Sequence, residues 1–133
     1  MKSTMLTDLA TELLLMPDKI ANIQTELLLL NEKQQVLFMK VEIEELKLKM
    51  EIADTTDDTG KKLYSNEDSR RAALSTKKAN DPMIQDLNRE ERHLQTEIQM
   101  KKIELEKAAN TQRNVRSILS FFSSGIVDSP EFE

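Results

Sequence analysis

Carboxylates that could bind a metal ion cluster just before Gly60. The segment DTTDDTGKKLY places three acids between Asp54 and Asp58, and acids close to a glycine are typical of a calcium-binding loop. An EF-hand loop aligned on Gly60 would begin at Thr55 and end at Asn66, so its first and last carboxylates are missing. We therefore interpret this segment as a solvated turn, and we expect no metal and no other cofactor.

The sequence has a single histidine, His93, and no cysteine. Glu90 and His93 have the Glu-x-x-His spacing that binds iron in helical bundles, but such sites need two copies of the motif. We expect His93 to lie at the surface. No nucleophile–base pair and no Gly-rich phosphate loop is present. The sequence therefore predicts a protein that is not an enzyme and has no small-molecule substrate.

Basic residues cluster in the middle of the chain, close to Lys61 and Lys62. The candidate contacts to nucleic acid are Arg70, Arg71, Lys77 and Lys78. The alternative is a solvated face near the start of a helix. Residues 66–120 hold eleven basic and nine acidic residues. Near the hairpin tip, Tyr64 alone could stack on a base. Binding to nucleic acid is therefore not favoured.

The segment GKKLYSNEDSRR, from Gly60 to Arg71, resembles a turn motif of small coiled-coil proteins encoded by phages and prophages. That motif reads Gly-Lys-x-x-Tyr-Ser-Asn-Glu-x-x-Arg. The resemblance implies a phage-type accessory protein and brings no catalytic residues with it. The alternative function is that of a nucleic-acid accessory protein in phage recombination or replication, which would use the basic cluster near the hairpin tip.

Composition indicates long helices. Of 133 residues, 32% are charged and 4% aromatic, with two Gly and three Pro, a profile that favours extended helices over a compact globule. The longest apolar runs, such as residues 27–30, are far shorter than a membrane span, and Asp8 and Glu12 interrupt any signal-peptide core. We expect a soluble, cytoplasmic protein that does not bind membranes.

Two apolar stripes run along residues 27–53. The first stripe is Leu27, Leu30, Gln34, Leu37, Val41 and Leu48, and the second stripe is Leu29, Val36, Met39, Ile43, Leu46, Met50 and Ala53. Val41 and Ile43 are about 200° apart around a helix, so the stripes lie on nearly opposite sides. Alternation between Val41 and Ile52 also allows a strand, but Leu, Met, Glu and Lys favour helix.

Breaker residues divide the chain into segments. Pro17 predicts a break or kink that makes residues 1–16 a separate amphipathic arm, unless they continue the first helix. Residues 17–122 are predicted to form a long antiparallel helical hairpin, a coiled coil with its turn at 54–65. Residues 123–133 form an acidic tail, expected to be flexible, with docking on a partner as the alternative.

Capping residues mark the starts of two helices in the second arm. Ser65 is predicted to cap the first of these helices, with Asp68 completing an acidic variant of the capping box. Asp81 is predicted to cap the next helix, with Pro82 in its first turn.

A seam with strict spacing of three and four follows Pro82, as in a coiled coil. It comprises Ile84, Leu87, Glu91, Leu94, Ile98, Lys101, Leu105, Ala108, Gln112, Val115, Leu119 and Phe122. Gln34 and Gln112 are interpreted as polar layers that set the register, with packing flaws as the alternative. A turn centred near Thr59 places Leu30 opposite Arg89 and Leu48 opposite Arg71.

The first arm carries more apolar surface than this charged second arm can cover. A row of large apolar side chains exceeds what monomers usually leave exposed. We therefore predict association into a multi-helix bundle, as a homo-oligomer or with another protein. The predicted function is that of an adaptor, assembly factor or inhibitor. The partner-binding residues are Val36, Met39, Ile43, Leu46 and Met50.

Overall fold

The computed structural model describes the backbone of residues 2–124 and the side chains of residues 4–124. Within that range the protein is all-α, as predicted: three helices pack against each other, and no strand is formed. The helices are α1 (Lys2–Asp54), α2 (Glu67–Asn80) and α3 (Pro82–Ser123). The segment that alternation also allowed to be a strand lies in α1. The predicted acidic tail lies, from residue 125 on, outside the described residues.

Helix α1 continues through Pro17 without interruption. The predicted break is therefore wrong, and residues 2–16 continue the first helix, which was the alternative. An internal proline removes a hydrogen bond and costs about 3 kcal/mol. Met16 and Ile23, on either side of it, are both buried, and burial of such side chains contributes about 1.5–3 kcal/mol each. Tertiary packing thus offsets the local cost.

The start of α2 is shifted by one residue from the prediction. Asn66, not Ser65, is the N-cap: its side chain accepts a hydrogen bond from the Ser69 backbone N–H at 2.7 Å. The Ser69 hydroxyl oxygen in turn accepts from the Asn66 N–H, so Ser69 completes the capping box instead of Asp68.

The start of α3 is as predicted. Its first residue is Pro82, and an Asp81 carboxylate oxygen accepts the Ile84 backbone N–H at 3.1 Å. This satisfies a donor that the first turn of a helix otherwise leaves unpaired.

The chain forms two compact units, and α1 and α3 each contribute a segment to both. One unit combines Met1–Leu29 with Ile98–Glu133, and the other is Leu30–Glu97, which also contains α2. The buried core of the first unit includes Met16, Ile23, Ile98, Ala108 and Val115. The buried core of the second includes Leu37, Leu48, Ile52, Ile84, Leu87 and Leu94. Helix α2 has no fully buried residue.

The predicted seam of the second arm is confirmed. Every one of its positions from Ile84 to Phe122 is buried or half-buried. The charged and amide members, Glu91, Lys101 and Gln112, are all half-buried. The spacing of three and four therefore identified the packed face of α3 correctly.

Within the unit Leu30–Glu97, α1 is antiparallel to α2 and α3. Lys78 Nζ of α2 lies 2.7 Å from Glu45 Oε1 of α1. Further back along α1, Gln34 Nε2 lies 2.8 Å from Gln95 Oε1 of α3. Rising residue numbers on the second arm thus meet falling numbers on the first.

The predicted register, with Leu30 opposite Arg89 and Leu48 opposite Arg71, is wrong. The observed contacts pair each α1 position with a residue several places later in the second arm. The loop itself closes around its predicted centre, since Leu63 N–H donates to the Thr55 carbonyl at 3.0 Å. Residues 64–66, between the closed loop and α2, are not helical. Counting equal numbers of residues on either side of the turn therefore does not give the observed pairs between the two arms.

Nowhere in the described part of the chain does a helix combine the length and the apolar character that crossing a bilayer requires.

Candidate interaction surface on the first helix

In the unit Leu30–Glu97, α1 presents one face to the core and an opposite face to solvent. The core-facing members of the first stripe are buried or half-buried: Leu30, Gln34, Leu37, Val41 and Leu48. Because 3.6 residues complete a turn, the second stripe lies nearly opposite. The two predicted faces of α1 are therefore present, and α2 and α3 cover only one of them.

The candidate surface, which we call the outer row, consists of the five residues predicted to bind a partner. They are exposed to 50% (Val36), 60% (Met39), 52% (Ile43), 56% (Leu46) and 66% (Met50). They follow one another at spacings of three and four on a continuous helix, so they form one uninterrupted apolar strip. Ala53, at the end of the second stripe, is half-buried.

A polar contact interrupts the core-facing side of α1 in this unit. Gln34 Nε2 donates to Glu91 Oε1 at 3.1 Å and to Gln95 Oε1 at 2.8 Å. All three side chains are half-buried. Such a polar layer suits one pairing of α1 with α3, because a shift along the helices separates the donor from its acceptors.

A second polar contact lies in the unit that combines Met1–Leu29 with Ile98–Glu133. Lys101, a seam residue of α3, forms ion pairs with Glu26 of α1 and, at 3.1 Å, with Glu104. The hydrogen bond to Glu26, followed by that to Glu104, raises the pKa of the Lys101 amine above its usual value. The charge at this seam position is therefore retained and paired.

Of the carboxylates before Gly60, that of Asp57 forms hydrogen bonds within the turn itself. Asp57 Oδ1 accepts hydrogen bonds from the Thr59 hydroxyl at 2.6 Å, the Thr59 N–H at 2.9 Å and the Lys61 N–H at 3.0 Å. The Thr59 hydroxyl, with the two N–H groups, lowers the pKa of Asp57. Gly60 has a φ of 82°, which a glycine adopts without steric cost. This oxygen thus closes a turn.

His93 lies on the exposed side of α3. Its side chain is 80% exposed, with Nε2 at 3.4 Å from Glu97 Oε1. Among the described residues, no three His, Asp or Glu side chains are grouped so that they could hold a metal ion. The single Glu90–His93 spacing is therefore not joined by a second ligand pair in that part of the chain.

Two residues of the predicted basic cluster pair with carboxylates of α1. Lys77 Nζ lies 3.4 Å from Glu51 Oε2, and Lys78 Nζ lies 2.7 Å from Glu45 Oε1. These contacts cross from α2 to α1. In each contact the carboxylate balances the charge of the lysine, and both contacts help to hold α2 against the first helix.

The other two basic candidates lie at the start of α2. Arg71 Nη2 lies 3.4 Å from Glu67 Oε1, whereas Arg70, Lys61 and Lys62 have no carboxylate within ion-pair distance in the described part of the chain. The structure thus divides the predicted basic patch. Arg71, Lys77 and Lys78 of α2 are paired with carboxylates, whereas the charges without an ion pair in the described part of the chain are Arg70, near the start of α2, and the two loop lysines.

Sequence reasoning missed some exposed apolar side chains and the charges beside the outer row. In the unit that includes Met1–Leu29, Leu14 and Leu15 are strongly exposed, but they are adjacent in sequence and do not continue as a row. Beside the outer row, Lys33, Lys40 and Lys47 are all exposed. Their seven-residue spacing, which places them along one edge of a helix, was the available signal.

Comparison with known protein families, with curated proteins and with solved structures finds no match to this chain. Function must therefore be inferred from the contacts and exposed surfaces of the chain itself.

Proposed function

We propose that this protein acts by binding other protein chains through the outer row of α1, as an adaptor, assembly factor or inhibitor, without catalysing a reaction. The observation that carries the proposal is the strip of five large apolar side chains, each at least half exposed. The opposite face of the same helix segment is packed. The strip therefore belongs to a supported helix that can dock as a preformed surface.

The energetics favour a partner that contributes an apolar face of its own. Fully burying a Val, Leu, Ile or Met side chain contributes about 1.5–3 kcal/mol. Because the outer-row side chains are already about half covered, each has roughly 1 kcal/mol left to gain, or about 5 kcal/mol for the row. Association costs about 4–15 kcal/mol. A matching strip on the partner roughly doubles the gain, to about 10 kcal/mol, which exceeds the lower part of that range of costs. The favoured partners are therefore another copy of this chain or another protein with an amphipathic helix.

A nucleic-acid accessory role is the second candidate function. Arg70, Lys61 and Lys62, which have no ion-pair partner in the described part of the chain, support it. The pairing of Arg71, Lys77 and Lys78 with carboxylates leaves fewer charges for phosphates. The phage origin that the loop segment suggests by resemblance suits both candidates.

Sedimentation with matched variants tests the first proposal. Met39→Gln, Ile43→Gln and Met50→Gln, combined in one chain, remove apolar surface without disturbing the packed face. We expect the wild type to associate at micromolar concentration and this triple variant to be monomeric with unchanged helicity. Met100→Gln, at an equally exposed position of α3, is the control and should behave as wild type. A wild type that stays monomeric and binds no protein refutes the proposal, and so does a triple variant that associates as the wild type does.

Binding to DNA at about 50 mM salt, where phosphate contacts are strong, tests the second candidate. Salt-dependent binding that Arg70→Ala weakens supports it. No binding at that salt concentration removes it.

A further inference from the structure

We infer that the outer row pairs with the outer row of a second copy of this chain, with the two α1 helices parallel and in register. This inference rests on the proposed function and specifies its partner. Three properties of the segment 33–54 carry it: the spacing of its apolar residues, their side-chain types, and the charges on either edge.

The outer row has the repeat of a coiled-coil seam. Its residues alternate strictly between steps of three and four, so Val36, Ile43 and Met50 occupy the a positions of a seven-residue repeat, while Met39 and Leu46 occupy d. Two of the three a residues are β-branched and one of the two d residues is leucine, a combination that favours two-stranded parallel pairing. All five side chains are exposed and available for such a contact.

The edges of the row have different charges. The e edge carries Lys33, Lys40, Lys47 and Asp54, and the g edge carries Gln35, Glu42 and Lys49. All seven side chains are exposed. Within the described residues the only ion pair they make is a long one, 3.9 Å, between Lys47 and Glu44. Their charges are therefore free to select a partner.

Parallel pairing matches these charges. In a parallel pair in register, each g residue faces the e residue of the next heptad on the other chain. Glu42 then faces Lys47 of the second copy, and Lys49 faces Asp54 of the second copy. The two-fold symmetry repeats both attractive pairs. Gln35 faces Lys40 of the second copy, and this contact is not repulsive because glutamine carries no charge. The segment therefore contains no repulsive pair.

Antiparallel pairing does not match them. In that arrangement e faces e and g faces g, so lysines of the e edge face lysines of the second copy, and Asp54 can pair with only one of the three lysines Lys33, Lys40 and Lys47. Like charges placed opposite each other oppose association. The edge charges therefore select the parallel orientation.

Single cysteines test the orientation directly, since the chain has no cysteine of its own. Val36→Cys and Met50→Cys lie at opposite ends of the outer row. In a parallel pair in register each meets its own counterpart, at a separation that a disulfide can bridge. We expect each variant alone to form a cross-linked dimer on oxidation, and a mixture to give little mixed product. Asn88→Cys, exposed on α3 in the same unit, is the control and should not cross-link.

Other cross-linking patterns overturn the inference, and together with the triple glutamine variant they show whether the proposed function also fails. Mixed Val36→Cys/Met50→Cys dimers without homodimers indicate an antiparallel second copy. Absence of any cross-link from a chain that binds a different protein through the outer row rejects self-pairing alone. If the triple glutamine variant also associates as wild type does, the proposed function falls with it.

Charge reversal provides an independent test. Glu42→Lys places two lysines opposite each other at both symmetry-related sites, and we expect dimer affinity to fall about tenfold. Adding Lys47→Glu exchanges the charges and should restore the wild-type affinity. An affinity unchanged by Glu42→Lys, or not restored in the double variant, overturns the assignment of these pairs.

Discussion

Replacing Gln34 by alanine tests whether the polar contact between α1 and α3 stabilises the observed register. The amide of Gln34 donates to Glu91 and to Gln95, at 3.1 and 2.8 Å. The alanine variant removes both hydrogen bonds and leaves the two acceptors half-buried without that donor. The adjacent Gln35→Ala is the matched control, because Gln35 is an exposed glutamine on the same helix.

The expected loss follows from the chemistry of the two acceptors. A hydrogen bond to a charged group contributes about 1.5–3 kcal/mol, and one between neutral groups about 0.5–1.5 kcal/mol. Water reaches the half-buried acceptors and replaces part of what is lost. We therefore expect Gln34→Ala to lower the free energy of unfolding by about 2 kcal/mol and Gln35→Ala by less than about 0.5 kcal/mol.

Urea unfolding at one fixed protein concentration measures this difference, since association alters apparent stability. A double-mutant cycle with Gln95→Ala isolates the contact, with an expected coupling of about 1 kcal/mol. Equal effects of Gln34→Ala and Gln35→Ala, or a coupling energy near zero, would refute the assignment of a stabilising polar layer.

Four further substitutions probe local features of the fold. Pro17→Ala restores a donor to the interior of α1 and should raise the free energy of unfolding by up to about 3 kcal/mol, measured by urea unfolding. Gly60→Ala should destabilise by about 1–2 kcal/mol because of the positive φ at this position, with no clash around the added methyl group; an unchanged melting temperature contradicts this. The lowered pKa of Asp57 means that its carboxylate stabilises the fold above the ordinary value of 3.8. The stability difference between wild type and Asp57→Asn should accordingly be constant at neutral pH and disappear as pH falls through the lowered folded-state pKa. The raised pKa of Lys101 has the opposite consequence: the stability difference between wild type and Lys101→Met should be constant below the ordinary value of 10.5 and vanish as pH rises through the folded-state pKa.

The faces of the long helices could be predicted from sequence because helical geometry converts spacing directly into direction. The seam of α3 needed only the alternation of three and four, and the structure packs all of its positions. The same rule separates the two stripes of α1 and identifies the outer row from spacing alone. Polar seam residues such as Glu91 did not obscure the pattern, because their neighbours in the row are apolar.

Pairing between the helices could not be predicted in the same way. The register of the two arms depends on the residue at which the connection ends and α2 begins. Both Ser65 and Asn66 are chemically able to cap α2. The choice of Asn66 depends on reciprocal bonding with Ser69. The partners of Lys77 and Lys78 follow from the register, which is why the basic cluster looked freer in the sequence than it is in the fold.

The continuity of α1 through Pro17 shows a related limit of local rules. The cost of an internal proline can be read from the sequence, but the burial that offsets it depends on packing against α3. Met16 and Ile23 could be recognised as apolar, whereas their burial to 5% and 3% exposure depends on the position of the partner helix. Local preference was therefore overridden where two well-packed side chains flank the unfavourable residue.

The two faces of α1 differ in how they can specify a partner. The packed face carries Gln34, a half-buried polar group that disfavours other registers. The outer row has no polar residue from Val36 to Met50, so its seam attracts any complementary apolar strip. Selectivity must then come from the edges, where Glu42 and Lys47 are exposed to solvent and screened by salt.

Raising the salt concentration should therefore weaken the preference for parallel over antiparallel pairing while leaving association itself largely intact. The ratio of homodimers to mixed dimers formed by Val36→Cys and Met50→Cys measures this, and a ratio independent of salt would show that the edge charges do not set the orientation.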